Sequence, residues 1–313
     1  MSDKKRILLI GSSNMDLSMN VNKLPEAGQT LIDDGGVAYT PGGKGANSAV
    51  VFSRLGADTV FCTKLGADAH GQRLYNFYKD EGINTSHIKV DKENSTGLAV
   101  VIKEASGENR IIVYPGANAT LTPENIAEAF ASAPDAVYLG FEIPFALAVS
   151  AARIAASRGI PVFVDSGPAS RDFELDKLPE LEIFSPNETE TYEYTGIMPT
   201  NMETSLRAAI NLFKKVKCKY LVIKQGARGA FLYDGKRYNT FPAVRVDKVV
   251  DTTAAGDVFT AALTLEYLRT GGDIRAAIQY ANAAGAIAVT RKGASASAPT
   301  ADEVAAVVKS LVY

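Results

Sequence analysis

Cysteine and histidine are the scarcest reactive residues in this chain of 313: Cys62, Cys218, His70 and His87 are all it has. That is too few for a disulfide framework or for a His/Cys zinc site of the common kinds. Chemistry must then run on carboxylates, amides, the backbone and hard cations. The two cysteines read as buried apolar side chains in a reducing compartment, and the histidines lie in polar, turn-like surroundings without a role. Charge of one sign is also missing, since the formal net charge is −2, which removes bulk attraction to nucleic acid. With 46% hydrophobic and 22% charged residues, disorder is excluded too. No apolar run approaches the ~18 residues that cross a bilayer. The start, MSDKKRILLIGSS, turns polar too soon for a signal peptide and reads as a first strand. The sequence thus predicts a cytoplasmic protein with neither nucleic acid nor membrane as partner. Two phosphate signatures are absent as well. No GxGxxG follows a strand-like run, and the glycines at 41–47 lack the Lys-Ser/Thr ending of a Walker A loop.

What is present alternates. Short β-rich runs at Arg6 to Ile10, Thr59 to Thr63, Ala136 to Leu139, Pro161 to Val164, Glu182 to Phe184 and Tyr220 to Lys224 are separated by helical stretches. One helix follows Gly45 and stops at Gly56. Thr122-Pro123 supplies an N-cap with proline at N1, and Thr300 with Glu303 has capping-box spacing. This order predicts an α/β fold with a mainly parallel sheet covered by helices on both faces. Residues 15–40 and 96–114 break the alternation and read as antiparallel strands, with EASGE as a turn between GLAVVIK and NRIIVY. A small sheet of this kind has to lie over the body as a lid or against a second subunit. No repeat or linker divides the chain, so one domain spanning 1–313 is expected.

Six places carry candidate chemistry, most with a plain structural alternative. Asp251-Thr252-Thr253-Ala254-Ala255-Gly256-Asp257 precedes the helical VFTAALTLEYL. Small residues there leave backbone N–H groups free for an anion, and Asp257 in the first turn can accept a proton from an attacking hydroxyl. Asp251 can anchor the loop or a cation; both aspartates are equally favoured there by the helix dipole alone. Asn14-Met15-Asp16 follows the first strand, where ligands of open α/β sheets sit, and offers donors and acceptors for a polyol or, alternatively, an Asx turn. Glu142 has the same strand-end placement. Asn187 reads as an N-cap, while Glu190 could hold water on a magnesium ion. Lys224-Gln225-Gly226-Ala227-Arg228-Gly229 suits a nucleotide phosphate or a hairpin turn, and Thr290-Arg291-Lys292-Gly293 reads as a helix C-terminus with a glycine cap.

Taken together, NMD near residue 15, PGGKGAN at 41–47, GENRI with PGAN at 107–118, FEIP at 141, PNETE at 186, DTTAAGD at 251–257 and TRKGA at 290 resemble the ribokinase branch of the ribokinase/PfkB sugar-kinase family. The resemblance implies a Rossmann-like three-layer α/β/α body with a β-lid that closes over sugar and often forms a dimer contact. It also implies ATP, Mg²⁺ and an activating monovalent cation, with K⁺ expected. By position, Asp257 matches the catalytic base, with Ala254, Ala255 and Gly256 as its anion hole. Asn14, Met15, Asp16, Gly43, Lys44, Gly45, Ala46, Asn47 and Glu142 match the sugar site. Asn187, Lys224 to Gly229, Gly256 and Asn282 match nucleotide positions. Asp251, Thr253, Ala288, Arg291, Gly293 and Ser297 match the monovalent-cation loops, and Glu190 the water-mediated Mg²⁺ position. The implied reaction is ATP with D-ribose giving ADP and D-ribose 5-phosphate. Another pentose or a nucleoside is the alternative acceptor, and a sugar-binding or regulatory protein without turnover the alternative class.

The chain departs from the branch at three places. Lys224-Gln225-Gly226-Ala227 stands where Thr-Leu-Gly-Ser is usual, Ser48 where Gln is usual, and Asp165-Ser166-Gly167-Pro168-Ala169 where Asn-Pro-Ala-Pro-Ala is usual.

Overall fold

The first strand shows how the chain sorts its side chains. RILLI offers no polar residue after Arg6, so β1 (Arg6–Ile10) suits only a place buried on both faces. Ile7 and Leu9 enter one apolar core and Leu8 and Ile10 the other. The structure, a computed structural model, describes residues 4–106 and 109–311. Gly107 and Glu108, which fall in the expected EASGE turn and the GENRI block, lie outside the described residues.

After β1 come β2 (Asn14–Val21), β3 (Val37–Gly42), β4 (Asp58–Gly66), β5 (Ile88–Asp91), β6 (Gly97–Glu104) and β7 (Asn109–Tyr114). The second half adds β8 (Ala136–Leu139), β9 (Val162–Asp165), β10 (Leu181–Ser185), β11 (Cys218–Lys224), β12 (Ala230–Tyr233) and β13 (Tyr238–Phe241). Nine of these strands form one sheet in the order β13-β12-β11-β10-β9-β8-β1-β4-β5. It is parallel from β11 through β5, and β12 and β13 close its far edge as an antiparallel meander. The parallel body agrees with the sequence reading. The meander was not anticipated, and β11 to β12 realises the hairpin alternative for Lys224 to Gly229.

Helices cover both faces. α1 (Lys44–Arg54), α2 (Ala69–Asp80), α7 (Ala255–Arg269), α8 (Ile274–Val289) and α9 (Ala301–Ser310) share one core. α3 (Pro123–Ala129), α4 (Phe145–Ser157), α5 (Glu188–Thr195) and α6 (Met202–Phe213) share the other. The expected caps form: Thr122 and Thr300 each accept from the N3 backbone, with Asn125 and Glu303 reciprocating. α7 is buried nearly all round, from Asp257 to Leu265, because it lies between the sheet, α1 and α8. Among the described residues no helix is long and apolar enough to cross a membrane.

The second sheet has the order β3-β2-β6-β7. Its outer pairs are antiparallel as expected, but β2 and β6 pair in parallel. It stands over the carboxyl ends of β1 and β8. Gly11, Ser12 and Ser13 are all that separate β2 from β1, so the small sheet grows directly from the middle of the large one.

Candidate active site

A cavity of about 240 Å³ lies between the inner face of the small sheet and the carboxyl ends of the large one. This is below the usual range for drug-sized ligands and suits a small polar molecule. Strand period decides who lines it. Asn14, Asp16 and Ser18 of β2, Ala99 and Val101 of β6, and Ile111 and Val113 of β7 face the cavity. Met15, expected with the sugar-binding residues, points the other way and is fully buried in the core.

From the body, α1 brings Lys44 and Asn47 into the cavity. Its first turn presses on the β1 loop: a Cβ on Gly45 would come within 2.6 Å of the Ser12 backbone, so only glycine allows the approach. Gly43 at φ 90 turns the chain into the helix. Gly45 and Ala46 thus serve the packing that aims Lys44 and Asn47, and they do not line the cavity themselves.

Asp257 is the meeting point. Asn47 Nδ2 donates to its Oδ2 at 2.8 Å, and Lys44 Nζ lies 3.6 Å from its Oδ1. Burial pushes the Asp257 carboxyl up to about 6, with Asp165 adding to the rise and Lys44, the Asn47 hydrogen bond and Lys224 opposing it. The Asp257 charge in turn holds the Lys44 ammonium firmly protonated against desolvation. Ala254 adopts the left-handed conformation, φ 59, and turns the chain into α7. The Ala255 amide donates to the Thr252 carbonyl. Among the described residues this leaves the amides of Ala254, Gly256 and Asp257 without an acceptor, so two of the three expected amides are free, Ala255 is not, and Asp257 adds one.

Asp16 is the most perturbed carboxyl of the cavity. Burial first, then Glu142 and Asp257, push it up to about 7, and its Oδ1 is buried without a hydrogen-bond partner. Asn47 Oδ1 is likewise unpartnered. Two buried acceptors left open toward one cavity are what a polyhydroxylated ligand would satisfy. Glu142 is fixed by Ser12 Oγ at 2.5 Å and by the Lys44 amide at 2.9 Å. Two supports had no role in the sequence reading. Ser12 is one; the other is Asn118, which donates to Asn14 Oδ1 at 2.8 Å and accepts from the Ser13 amide. Asn118 ends the PGAN block, and that block was its signal.

The other expected residues lie around this centre. Asn187 caps α5 in a capping box with Glu190, whose Oε2 also accepts from Ser166 Oγ. Glu190 Oε1 stays on the Gly167 and Lys44 side. Lys224 is buried against Asp165 at 2.6 Å, and Gln225 turns inward to Ser205 Oγ. Gly226 to Arg228 form a single 3₁₀ turn containing Ala227, and Gly229 returns the chain to β12. Arg228 is held by Glu188 and the Pro199 carbonyl. Asn282 of α8 donates to the Pro242 carbonyl. Asp251 ties two loops together: Thr253 donates to it through amide and hydroxyl, and Gly293 through its amide. Arg291 pairs with Glu303, Ser297 Oγ donates to Ala294, and the Ala288 carbonyl accepts from the Arg291 amide. Among the described residues the carbonyls of Asp251, Thr253, Arg291 and Gly293 accept no hydrogen bond. No cluster of three or more His, Cys, Asp or Glu with metal-site geometry occurs among the described residues.

A lid sheet closing a small polar cavity beside free helix amides is a sugar-kinase arrangement, and comparison with known proteins agrees. Residues 4–301 match the pfkB family of carbohydrate kinases, and the chain belongs to that family. Within it the similar proteins include ribokinases. The chain is 34% identical over 302 residues to a ribokinase of Staphylococcus aureus (strain COL), covering 96% of this chain and 98% of that protein. A bifunctional ribokinase/ribose-5-phosphate isomerase A of Fructilactobacillus sanfranciscensis is 35% identical over 310 residues. That match covers 97% of this chain and 56% of that protein, so the chain spans about half its length. The solved structure of Arabidopsis thaliana ribokinase complexed with ribose and ATP superposes with a TM-score of 0.87 at 29% identity, covering 98% of this chain and 99% of that one.

Proposed function

We propose that this sugar kinase transfers the γ-phosphoryl group of ATP to the 5-hydroxyl of D-ribose, giving ADP, D-ribose 5-phosphate and a proton. The observation that carries this reading is the position of Asp257: a buried carboxylate at the free-amide end of α7, touching the two α1 side chains that line a sugar-sized cavity. Asn14, Asp16, Asn47 and Glu142 bind the hydroxyls, and Asp257 takes the proton of the attacking hydroxyl late in the transfer. The amides of Gly256 and Asp257 face the charge that grows on the phosphoryl oxygens. Lys44, held charged by Asp257, contributes to the same neutralisation. The small sheet excludes water when sugar fills the cavity.

ATP would be held at the carboxyl ends of β10 and β11 by Asn187, the turn from Gly226 to Gly229 and Asn282. Glu190 fits a role in holding Mg²⁺ through water, since one of its oxygens is committed to the helix cap and the other is open. Mg²⁺, when bound, neutralises the phosphate oxygens. The four unpaired carbonyls on the loops that Asp251 joins fit a large, weakly hydrated monovalent cation, K⁺ in our reading, better than a divalent one. That cation would hold the 251–256 loop in shape. Val37, Tyr39, Ile112 and Tyr114 are exposed on the small sheet, an apolar surface that supports a homodimer formed through the lid. The cytoplasm, where ATP is abundant, suits the two unpaired cysteines.

The test is a panel of ribose, 2-deoxyribose, arabinose, xylose and nucleosides with ATP, followed by identification of the phosphorylated product. Ribose 5-phosphate as the favoured product is expected. Preferred turnover of a nucleoside, or none of any acceptor, would overturn the assignment.

A further inference from the structure

An acid and a lysine from two strands meet, buried, beneath α7. Asp165 ends β9 and Lys224 ends β11, on either side of β10, and their side chains join at 2.6 Å under the first turn of α7. Thr260 completes a triangle: Lys224 Nζ donates to its hydroxyl at 3.1 Å, and that hydroxyl lies 2.7 Å from Asp165 Oδ2 and 3.1 Å from the Gly256 carbonyl. A Cβ on Gly256 would stand 3.7 Å from Lys224 Nζ, so the ammonium sits directly behind the free amides. Ser48 adds a hydroxyl bonded to Tyr138 at 3.1 Å, and the Tyr138 phenol faces both Asp165 and Asp257.

The fold does not require charges here. A buried ion pair often stabilises no more than well-packed uncharged side chains of similar volume would. We propose that Asp165 and Lys224 are positioning residues, a buried charged clamp that fixes the first turn of α7 through Thr260 and balances the charge Asp257 faces. The inference rests on Asp257 acting as the base. Asp257 is faced by Lys44 from α1, Asp16 from β2, Tyr138 from β8, Asp165 from β9 and Lys224 from β11. Asp165 raises its proton affinity and Lys224 lowers it, so removing either partner alone displaces Asp257 in a direction set by the charge left behind.

The experiment is a double-mutant cycle read by pH. Asp165→Asn, Lys224→Thr, the double variant and Lys224→Arg are compared with the parent by the acid limb of kcat and by the ¹³Cγ titration of Asp257, assigned by its loss in Asp257→Asn. Lys224→Thr should move the limb up by about one unit and lower the rate below it roughly tenfold. Asp165→Asn should move it down. The double variant and Lys224→Arg should return close to the parent. If Lys224→Thr does not fold, Lys224→Met, closer in volume, takes its place. Limbs that stay fixed, or move the same way in both single variants, would overturn the clamp. Failure of the base assignment looks different: Asp257→Asn would then keep its turnover, while the ¹³Cγ titration still reports on the clamp.

Discussion

Replacing Asp16 with Asn should make the unliganded protein more stable and its sugar binding weaker, and both effects should depend on pH. The carboxyl ordinarily titrates at 3.8 and stands at about 7 in the folded chain. A raised carboxyl costs nothing below pH 3.8, where it is neutral folded and unfolded. The cost grows between 3.8 and 7 and is constant above. At 1.36 kcal/mol per unit it reaches about 4 kcal/mol, an upper figure for a group that keeps some solvent contact. Asn resembles the neutral acid at every pH, so urea unfolding should show Asp16→Asn gaining up to about 4 kcal/mol at pH 8 and close to none at pH 4. Binding runs the other way. If ribose hydroxyls donate to the carboxylate, only ionised molecules bind well. At pKa 7 these are about 3% of the population at pH 5.5 and about 90% at pH 8, a difference of roughly 30-fold in apparent Kd. Calorimetric titration of ribose across this range should show that slope in the parent and lose most of it in Asp16→Asn, the remainder belonging to Asp257. A stability gain equal at both pH values, or a flat parent affinity, would refute the reasoning.

Asp257→Asn is expected to keep ribose and ATP binding while kcat falls by ~10²–10⁴; near-parent turnover, on protein free of host kinase, would remove the base from the mechanism. Exchanging K⁺ for Na⁺ at constant ionic strength should lower turnover, and equal rates in K⁺, Na⁺ and a bulky organic cation would dismiss the cation loops. Ile112→Glu places a charge on the exposed lid face, so light scattering should show a shift toward monomer; an unchanged mass would rule this face out as the dimer contact.

Much of this architecture could be read from residue patterns because the signals were local. β1 and β8 were recognised to the residue, α3 was marked by its Thr122 N-cap and Pro123 at N1, and α9 by a capping box whose partners are three residues apart. DTTAAGD announced the α7 entrance because small residues, an aspartate and a helical run follow one another. What escaped depends on distance along the chain. The parallel pairing of β2 with β6 leaves no mark in either strand, and β12 and β13 have only four residues each to show their period. Met15 sat inside a sugar-binding block, yet strand alternation sends it into the core. Lys224 and Asp165 were each visible as departures, but no rule of local sequence says that a lysine at one strand end will find an aspartate two strands away.

The small sheet is built from two locally paired halves, β2 with β3 and β6 with β7, joined along the single parallel seam between β2 and β6. Each half can form as soon as its own stretch of chain is available, whereas the seam must wait for loop closure across the intervening α1, β4, α2 and β5. Closing the seam completes the site, with Asp16 arriving on one half and Ala99 and Val101 on the other. Hydrogen exchange should open the β2–β6 amides before those of β1 and β4; equal protection would contradict this order. A chain destabilised at the seam would therefore keep the two apolar cores of its body and lose the cavity that recognises a ligand.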